Sequence, residues 1–315
     1  MGGGASMTKI FLASMDTAFK QYKYPLLPNR YFLSYFYKRN TEAVLTAVNP
    51  ATFKGCIFCD SGAHSFFGSY GIFDNISYKK DAAKKATPKE IEEYFERYFS
   101  WILKWQDKIN YFAELDLQEI VGIRKVMEWR KRFMAAGVGN KMVMATHTGD
   151  TWKDFVWMLD NSESRFVATQ GLRQGLPNLN HKKYVKEAYM ERVRVHGFAM
   201  TKREILENIP FYSVDSSSWT SCWKFGTVFK YEKGRLRRIA NAPSSTKRLM
   251  KFGMGTDLLG AARSREEVRH KALRAEIEWR LYEEYIGSLW RSRGVDWEER
   301  LSNNSPTRKY SEQVY

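Results

Sequence analysis

Cysteines, long apolar runs and an acidic balance are what this 315-residue sequence has least of. The three cysteines, Cys56, Cys59 and Cys222, are an odd and sparse set. Such a set gives no disulfide framework and favours a reducing compartment, so we predict a cytoplasmic protein. No apolar run approaches the roughly 18 residues of a membrane-spanning helix, so we expect no membrane partner.

The first seven residues also lack the basic start and the apolar stretch of a signal peptide. They are rich in glycine and end at a second methionine, Met7. We therefore interpret residues 1–7 as an added leader and leave them out of the fold prediction.

Basic and apolar side chains, in contrast, are abundant. The 43% hydrophobic and 15% aromatic content is enough for a large buried core. Lys and Arg outnumber Asp and Glu by 51 to 35, which gives a net charge of +16. The simplest reading of this excess is solubility, but its size favours a polyanionic partner such as a nucleic acid.

Eight short apolar runs predict eight β-strands, and helical patterns fill most of the gaps between them. One such helix, over 88–108, opens with a capping box of Thr87 and Glu90, and a second box is predicted at Thr201 and Glu204. The predicted strands are 9–13, 31–36, 56–60, 111–116, 142–147, 166–171, 193–198 and 211–215. Eight alternating units predict an α/β fold, a (β/α)8 TIM barrel over 8–262.

A C-terminal extension, 263–315, follows the predicted barrel. Its long helix is expected over 264–291, and a polar tail follows. The predicted apolar face of this helix consists of Val268, Leu273, Ile277, Leu281 and Ile286.

Polar side chains end six consecutive predicted strands: Asp60, Asp116, His147, Gln170, His196 and Asp215. In such barrels the active site lies at the carboxyl ends of the strands, so we expect these residues to form one functional rim. Two carboxylates can cleave a glycosidic bond when one attacks the sugar and the other transfers a proton. The third carboxylate and the amide could then read a polar heterocycle.

The ordered motifs at the strand ends resemble those of the tRNA-guanine transglycosylase superfamily, over roughly half of the chain. They are 60–63 (DSGA), 113–116 (AELD), 169–171 (TQG), 196–198 (HGF) and 214–215 (VD). The closer resemblance is to the phage-type 7-deazaguanine DNA transglycosylases. It implies a cofactor-free pentosyltransferase that replaces guanine in DNA with a free 7-deazaguanine base similar to preQ0. The same exchange on tRNA is the nearest alternative.

The resemblance also implies a role for each matching residue. Asp215 would be the nucleophile that forms a covalent glycosyl-enzyme, and Asp60 the general acid and base. Asp116 would bind the N1 and amine edge of the base, while Gln170 and the Gly197 backbone would read its O6 side. The base would stack on His64, or on Phe66 or Phe67 instead. The remaining expected substrate-binding residues are Ser61, Gly62, Gly171 and His196.

The expected metal content departs from that of the family's tRNA enzymes, which carry a cysteine-rich zinc site after strand 8. Only Cys222 lies in that region here, and Cys56 and Cys59 face opposite sides of a strand. We therefore predict core cysteines and no metal, which favours DNA over tRNA as the partner.

A basic segment downstream of Asp215 is the predicted nucleic-acid-binding region, with a solvated loop as the alternative. Its residues are Lys230, Arg235, Arg237, Arg238, Lys247 and Arg248. Trp219 and Trp223 could stack on a base or pack in the core. Two other classes stay open, a metal-dependent barrel hydrolase using His147, His196 and Asp215, and a non-catalytic nucleic-acid-binding barrel.

Overall fold

Eight parallel strands close into a barrel in their sequence order, β1 to β8. The computed structural model describes residues 8–25, 27, 29–68, 86–146, 150–170, 181–240 and 245–302. The strands are β1 Lys9–Ala13, β2 Arg30–Ser34, β3 Cys56–Asp60, β4 Tyr111–Ala113, β5 Met142–Ala145, β6 Phe166–Thr169, β7 Arg194–Gly197 and β8 Ser213–Ser216. The predicted TIM barrel is confirmed.

Helices alternate with the strands around the outside of this barrel. They are α1 Met15–Tyr22, α2 Lys38–Ala47, α3 Ala63–Gly68, α4 Pro88–Trp105, α5 Gln118–Val121, α6 Ile123–Ala135, α7 Trp152–Asn161, α8 His181–Met190, α9 Arg203–Leu206, α10 Ser221–Lys224, α11 Ser245–Lys251, α12 Arg265–Ser292 and α13 Trp297–Ser302. None of the helices in the described ranges is long and apolar enough to cross a membrane.

Two predicted helix starts had different outcomes. The capping box of Thr87 and Glu90 is present at the start of α4. The box predicted at Thr201 and Glu204 is wrong, because Lys202 occupies the N-cap of α9 without a side-chain cap. The Thr201 hydroxyl instead donates to Ser216 Oγ at 3.3 Å, which joins this loop to the end of β8.

Aromatic rings fill the interior of the barrel below its carboxyl-terminal rim. His196 lies at the centre of this layer, stacked on Phe32 at 5.7 Å between ring centroids. Phe58 and Phe198 are in T-shaped contact with the imidazole, at 5.0 and 4.9 Å between ring centroids. The rim therefore lies on a tightly packed apolar floor.

A two-stranded antiparallel hairpin, which the sequence analysis did not predict, follows the barrel. It consists of β9 Val228–Glu232 and β10 Arg235–Ile239. Lys233 and Gly234 both have positive φ at its turn, the geometry of the two-residue turns preferred in hairpins. Tyr231 N–H donates to Glu278 Oε2 at 2.7 Å, which attaches the hairpin to α12.

Helix α12 packs along the barrel, and its predicted apolar face is only partly right. Val268 and Ile286 are buried, but Leu273, Ile277 and Leu281 are 43%, 44% and 37% exposed, so these three assignments are wrong. The buried face contains Ala272, Ala275, Trp279, Tyr282 and Trp290, together with Glu276, Glu278 and Glu283. The buried face of α12 therefore includes three glutamates that have partners, and it differs from the apolar face predicted from the sequence.

Candidate active site

Three carboxylates meet at the carboxyl ends of the barrel strands. Asp60 ends β3, Asp215 lies in β8, and Asp116 follows β4. Their charges interact, since Asp215 and Asp116 both raise the pKa of Asp60. The structure thus brings together the three acids that the sequence analysis assigned to one rim.

Asp215 is held through one of its two carboxylate oxygens. The Ala199 N–H donates to Oδ1 at 2.8 Å, and His196 Nε2 lies 3.2 Å from the same oxygen. Asp215 is only 8% exposed. Oδ2 has no hydrogen-bond partner in the described part of the chain, so it is the oxygen free to attack an electrophile.

His196 supports Asp215 from below and has no surface open to a ligand. Its side chain is 0% exposed, and its Nδ1 lies 2.8 Å from Ser213 Oγ. The neutral tautomer that donates from Nε2 to Asp215 can accept the Ser213 hydroxyl proton at Nδ1. The expected substrate-binding histidine is therefore placed one layer beneath the pocket, where it orients the carboxylate.

Asp60 has a contrasting environment. Its Oδ2 accepts hydrogen bonds from the Gly62 N–H at 3.0 Å and from the Ser34 hydroxyl at 3.3 Å. Burial raises the pKa of Asp60 to about 6, and the nearby carboxylates add to the effect against these hydrogen bonds. A carboxyl group with a pKa near neutrality can both give and take a proton.

Asp116 and Gln170 contact each other on the neighbouring part of the rim. The Gln170 amide Nε2 lies 3.3 Å from Asp116 Oδ2 and 3.5 Å from Oδ1. This pair presents carboxylate and amide oxygens beside an amide N–H. Such a set can read the adjacent donors and acceptors at the edge of a purine.

The residues after Asp60 shape the backbone of the pocket. Gly62 has a φ of +72°, and an added Cβ would lie 2.5 Å from the Phe36 nitrogen, so only glycine fits. Ser61 is buried, and its carbonyl accepts a hydrogen bond from the Tyr94 hydroxyl at 2.7 Å. These contacts hold the Gly62 N–H against Asp60.

Of the other residues expected to bind the base, Gly197 is described by the structure and several are not. Gly197 is buried in β7, where an added Cβ would lie 3.1 Å from the Phe211 ring. His147, Gly171 and the side chains of His64 and Phe67 lie outside the described residues. Of the three ligands proposed for a metal-dependent hydrolase, only His196 and Asp215 lie in the described part of the chain, and they contact each other.

A buried ion pair that the sequence analysis missed stabilises the Asp116 side of the rim. Glu114 accepts hydrogen bonds from the Ala145 N–H at 2.6 Å and from Arg130 Nη2 at 2.7 Å. It thereby ties the end of β4 to β5 and α6. Glu114 lies two residues before Asp116, a spacing that could have indicated a supporting acid.

The basic segment divides between structural and exposed side chains. Lys230 pairs with the buried Glu278 at 3.1 Å, and Arg237 pairs with Glu232 at 2.8 Å. Arg235, Arg238, Lys247 and Arg248 are exposed. The four last-named residues are therefore available to a partner.

The two tryptophans after Asp215 belong to the core. Trp219 is 0% exposed and Trp223 is 3% exposed. The Trp219 indole N–H donates to the Ala13 carbonyl at 2.6 Å. They support the end of β8 and do not present a face on which a base could stack.

The three cysteines are free thiols at buried or partly buried positions. Burial raises the pKa of Cys56 to about 11 and that of Cys59 well above its usual value. Within the described ranges, no group of three or more His, Cys, Asp or Glu residues is arranged to hold a metal ion.

No protein-family model matches the chain, and no curated protein is similar to it.

Proposed function

We propose that the protein is a base-exchange transglycosylase that replaces guanine in DNA with a 7-deazaguanine base. Asp215 Oδ2 attacks the sugar C1′, the bond between C1′ and N9 breaks, and Asp60 gives a proton to the departing guanine. Asp60 then takes the proton of the incoming base, whose N9 attacks C1′ and releases Asp215. Two displacements at C1′ retain its configuration.

The contrast between Asp60 and Asp215 is the observation that carries this proposal. The raised pKa of Asp60, about 6, suits a group that must give a proton and then take one back. The Ala199 N–H and His196 hold Oδ1 of Asp215 in place and leave Oδ2 for attack, which suits a nucleophile. Neighbouring carboxyl groups with different environments are the usual arrangement for a divided acid and nucleophile role.

Further observations support guanine as the exchanged base and DNA as the polymer. Asp116 and Gln170 offer the acceptor and donor groups that a guanine edge requires. The net charge of +16 favours a polyanion, and the family resemblance favours DNA. The target base would leave the stack to reach the rim, or the enzyme would act on single strands. We place the reaction in the cytoplasm, that of the host cell if a phage encodes the protein.

Parallel incubation with DNA and with tRNA tests the proposal. Each polymer is supplied with a free 7-deazaguanine such as preQ0, digested to nucleosides and examined by mass spectrometry. We expect the new nucleoside in DNA with wild-type protein and none with the folded Asp215→Asn variant. Incorporation into tRNA alone would reassign the polymer. Undiminished exchange by Asp215→Asn, or DNA binding without any exchange, would refute the proposal.

A further inference from the structure

A basic groove lies beside the proposed active site, between the β7–α9 loop and the β9–β10 hairpin. Its volume is about 360 Å³, within the roughly 300–1,000 Å³ range of small-ligand sites. Five cationic residues line it: Lys202, Arg203, Arg235, Arg237 and Arg238. The three hairpin arginines belong to the nucleic-acid-binding region predicted from the sequence, whereas Lys202 and Arg203 do not.

Three of these cations are unpaired among the residues that the structure describes. Arg203 pairs with Glu207 at 2.8 Å and Arg237 pairs with Glu232 at the same distance. Lys202, Arg235 and Arg238 are exposed and form no ion pair within the described ranges. The groove therefore carries an uncompensated positive charge.

Two residues that line the groove each carry a buried hydrogen-bond donor without a partner among the described residues. Trp279 and Tyr282 line the groove and are only 4% and 2% exposed. The indole N–H of Trp279 and the hydroxyl of Tyr282 have no partner among the described residues. Buried donors left in this way are costly unless a ligand satisfies them, and together with cations they suit an anionic oxygen ligand.

The groove is joined to the proposed nucleophile by two short stretches of chain. Ala199, whose N–H holds Asp215, is three residues before Lys202. Ser216 follows Asp215, contacts Thr201 and accepts a hydrogen bond from the N–H of Ser218, a groove residue. A strand whose sugar lies over Asp215 would thus have its neighbouring phosphates at the groove.

We infer that this groove binds the phosphodiester backbone of the DNA strand next to the nucleotide whose base is exchanged. The identity of the strand rests on the proposed function, whereas the preference for phosphate oxygens follows from the groove's own charge and donors. Binding here would hold the strand while its base is released and replaced. The contacts are to backbone oxygens, so they confer position and not sequence preference.

A pair of charge-reversed variants tests this inference through binding of a fluorescein-labelled single-stranded DNA oligonucleotide. Arg235→Glu with Arg238→Glu is compared with Arg124→Glu with Lys131→Glu, which changes two exposed cations of α6 by the same charge. We expect the groove variant to lose at least tenfold in affinity at low salt. Its slope of log affinity against log salt should fall by about 1.4, the value for two lost phosphate contacts on a single strand. The α6 variant should keep the wild-type slope.

A third variant, Tyr282→Phe, removes one of the buried donors without changing the charge. We expect a several-fold loss of DNA affinity with an unchanged melting temperature. Equal losses in the groove and α6 variants, or wild-type binding by the groove variant, would overturn the inference.

Kinetics separate this inference from the proposed function. In the exchange assay the groove variant should show a raised KM for DNA and an unchanged KM for the free base. Exchange with an unaltered KM for DNA would reject the groove and leave the proposed function standing. Groove-dependent DNA binding without any base exchange would support the groove and reject the proposed function.

Discussion

Two sets of carboxylates in this protein have opposite surroundings. On α12, Glu283 is bonded to Arg30 and Arg280, and Glu278 pairs with Lys230. At the rim, Asp60 faces two other carboxylates and forms no ion pair within the described ranges. Acids of the first kind, which are paired with cations, hold the fold together, whereas clustered acids of the second kind are typical of functional sites.

Removing a rim acid should therefore affect chemistry far more than structure. We expect Asp60→Asn to lower the exchange rate by about 10³-fold or more, because asparagine cannot transfer the proton. Single-turnover exchange measures the loss, and circular dichroism checks the fold. A rate within tenfold of wild type would remove Asp60 from the proton-transfer role.

Removing an acid on α12 should have the converse result. Glu283→Ala leaves Arg30, Arg280 and the Ile10 N–H without their acceptor, and it should lower the free energy of unfolding by about 3–5 kcal/mol. Urea denaturation measures the change, with the exposed neighbour Glu284→Ala as the matched control, expected within about 0.5 kcal/mol of wild type. The folded fraction should keep its kcat. A large fall in kcat without a loss of stability would erase the distinction between the two sets.

His196 contacts Asp215 from beneath the rim and should act as a positioning residue. We expect His196→Phe combined with Ser213→Ala to lower kcat by about 10–100-fold, the equivalent of one hydrogen bond to a charged group. The KM for DNA should not change, and His196→Gln, which can still donate to Asp215, should restore part of the rate. A change in stability alone would make the contact purely structural.

The smallest expected effect is the pH dependence of stability that Asp60 causes. Its folded pKa of about 6 lies above its ordinary value, so the folded state binds the proton more tightly than the unfolded state does. The contribution of this group to stability is full below its ordinary pKa and is lost as pH rises through about 6. Between pH 5 and pH 7.5 the wild type should lose about 1 kcal/mol relative to Asp60→Asn. Parallel pH profiles for the two proteins would contradict the raised pKa.

The barrel could be predicted from the sequence because its strands are short apolar runs separated by helical patterns. β1 and β3 have the predicted limits, whereas β4 ends at Ala113, three residues early, although the Glu114 N–H still donates to the Val143 carbonyl at 3.0 Å. The full burial of His196 could not be predicted, because a sequence does not show which of the strand residues that face the barrel interior reach the surface of the pocket.

Long-range pairing explains the errors on α12 and in the hairpin. A helical periodicity assigns glutamates to the exposed face of a helix. Here Glu276, Glu278 and Glu283 are buried, because they contact partners that are distant in the sequence. Likewise, the basic residues of Arg235–Ile239 obscured a strand that pairs with Val228–Glu232 and packs on this helix.

The most direct test of the central claim, nucleophilic attack by Asp215, is to trap its covalent intermediate. Wild-type protein is incubated with guanine-containing DNA without an incoming base, denatured, and examined by gel electrophoresis and peptide mass spectrometry. We predict a denaturant-stable protein–DNA adduct that maps to Asp215 and is absent in Asp215→Asn. An adduct on another residue, or exchange that proceeds with inversion at C1′, would contradict the account.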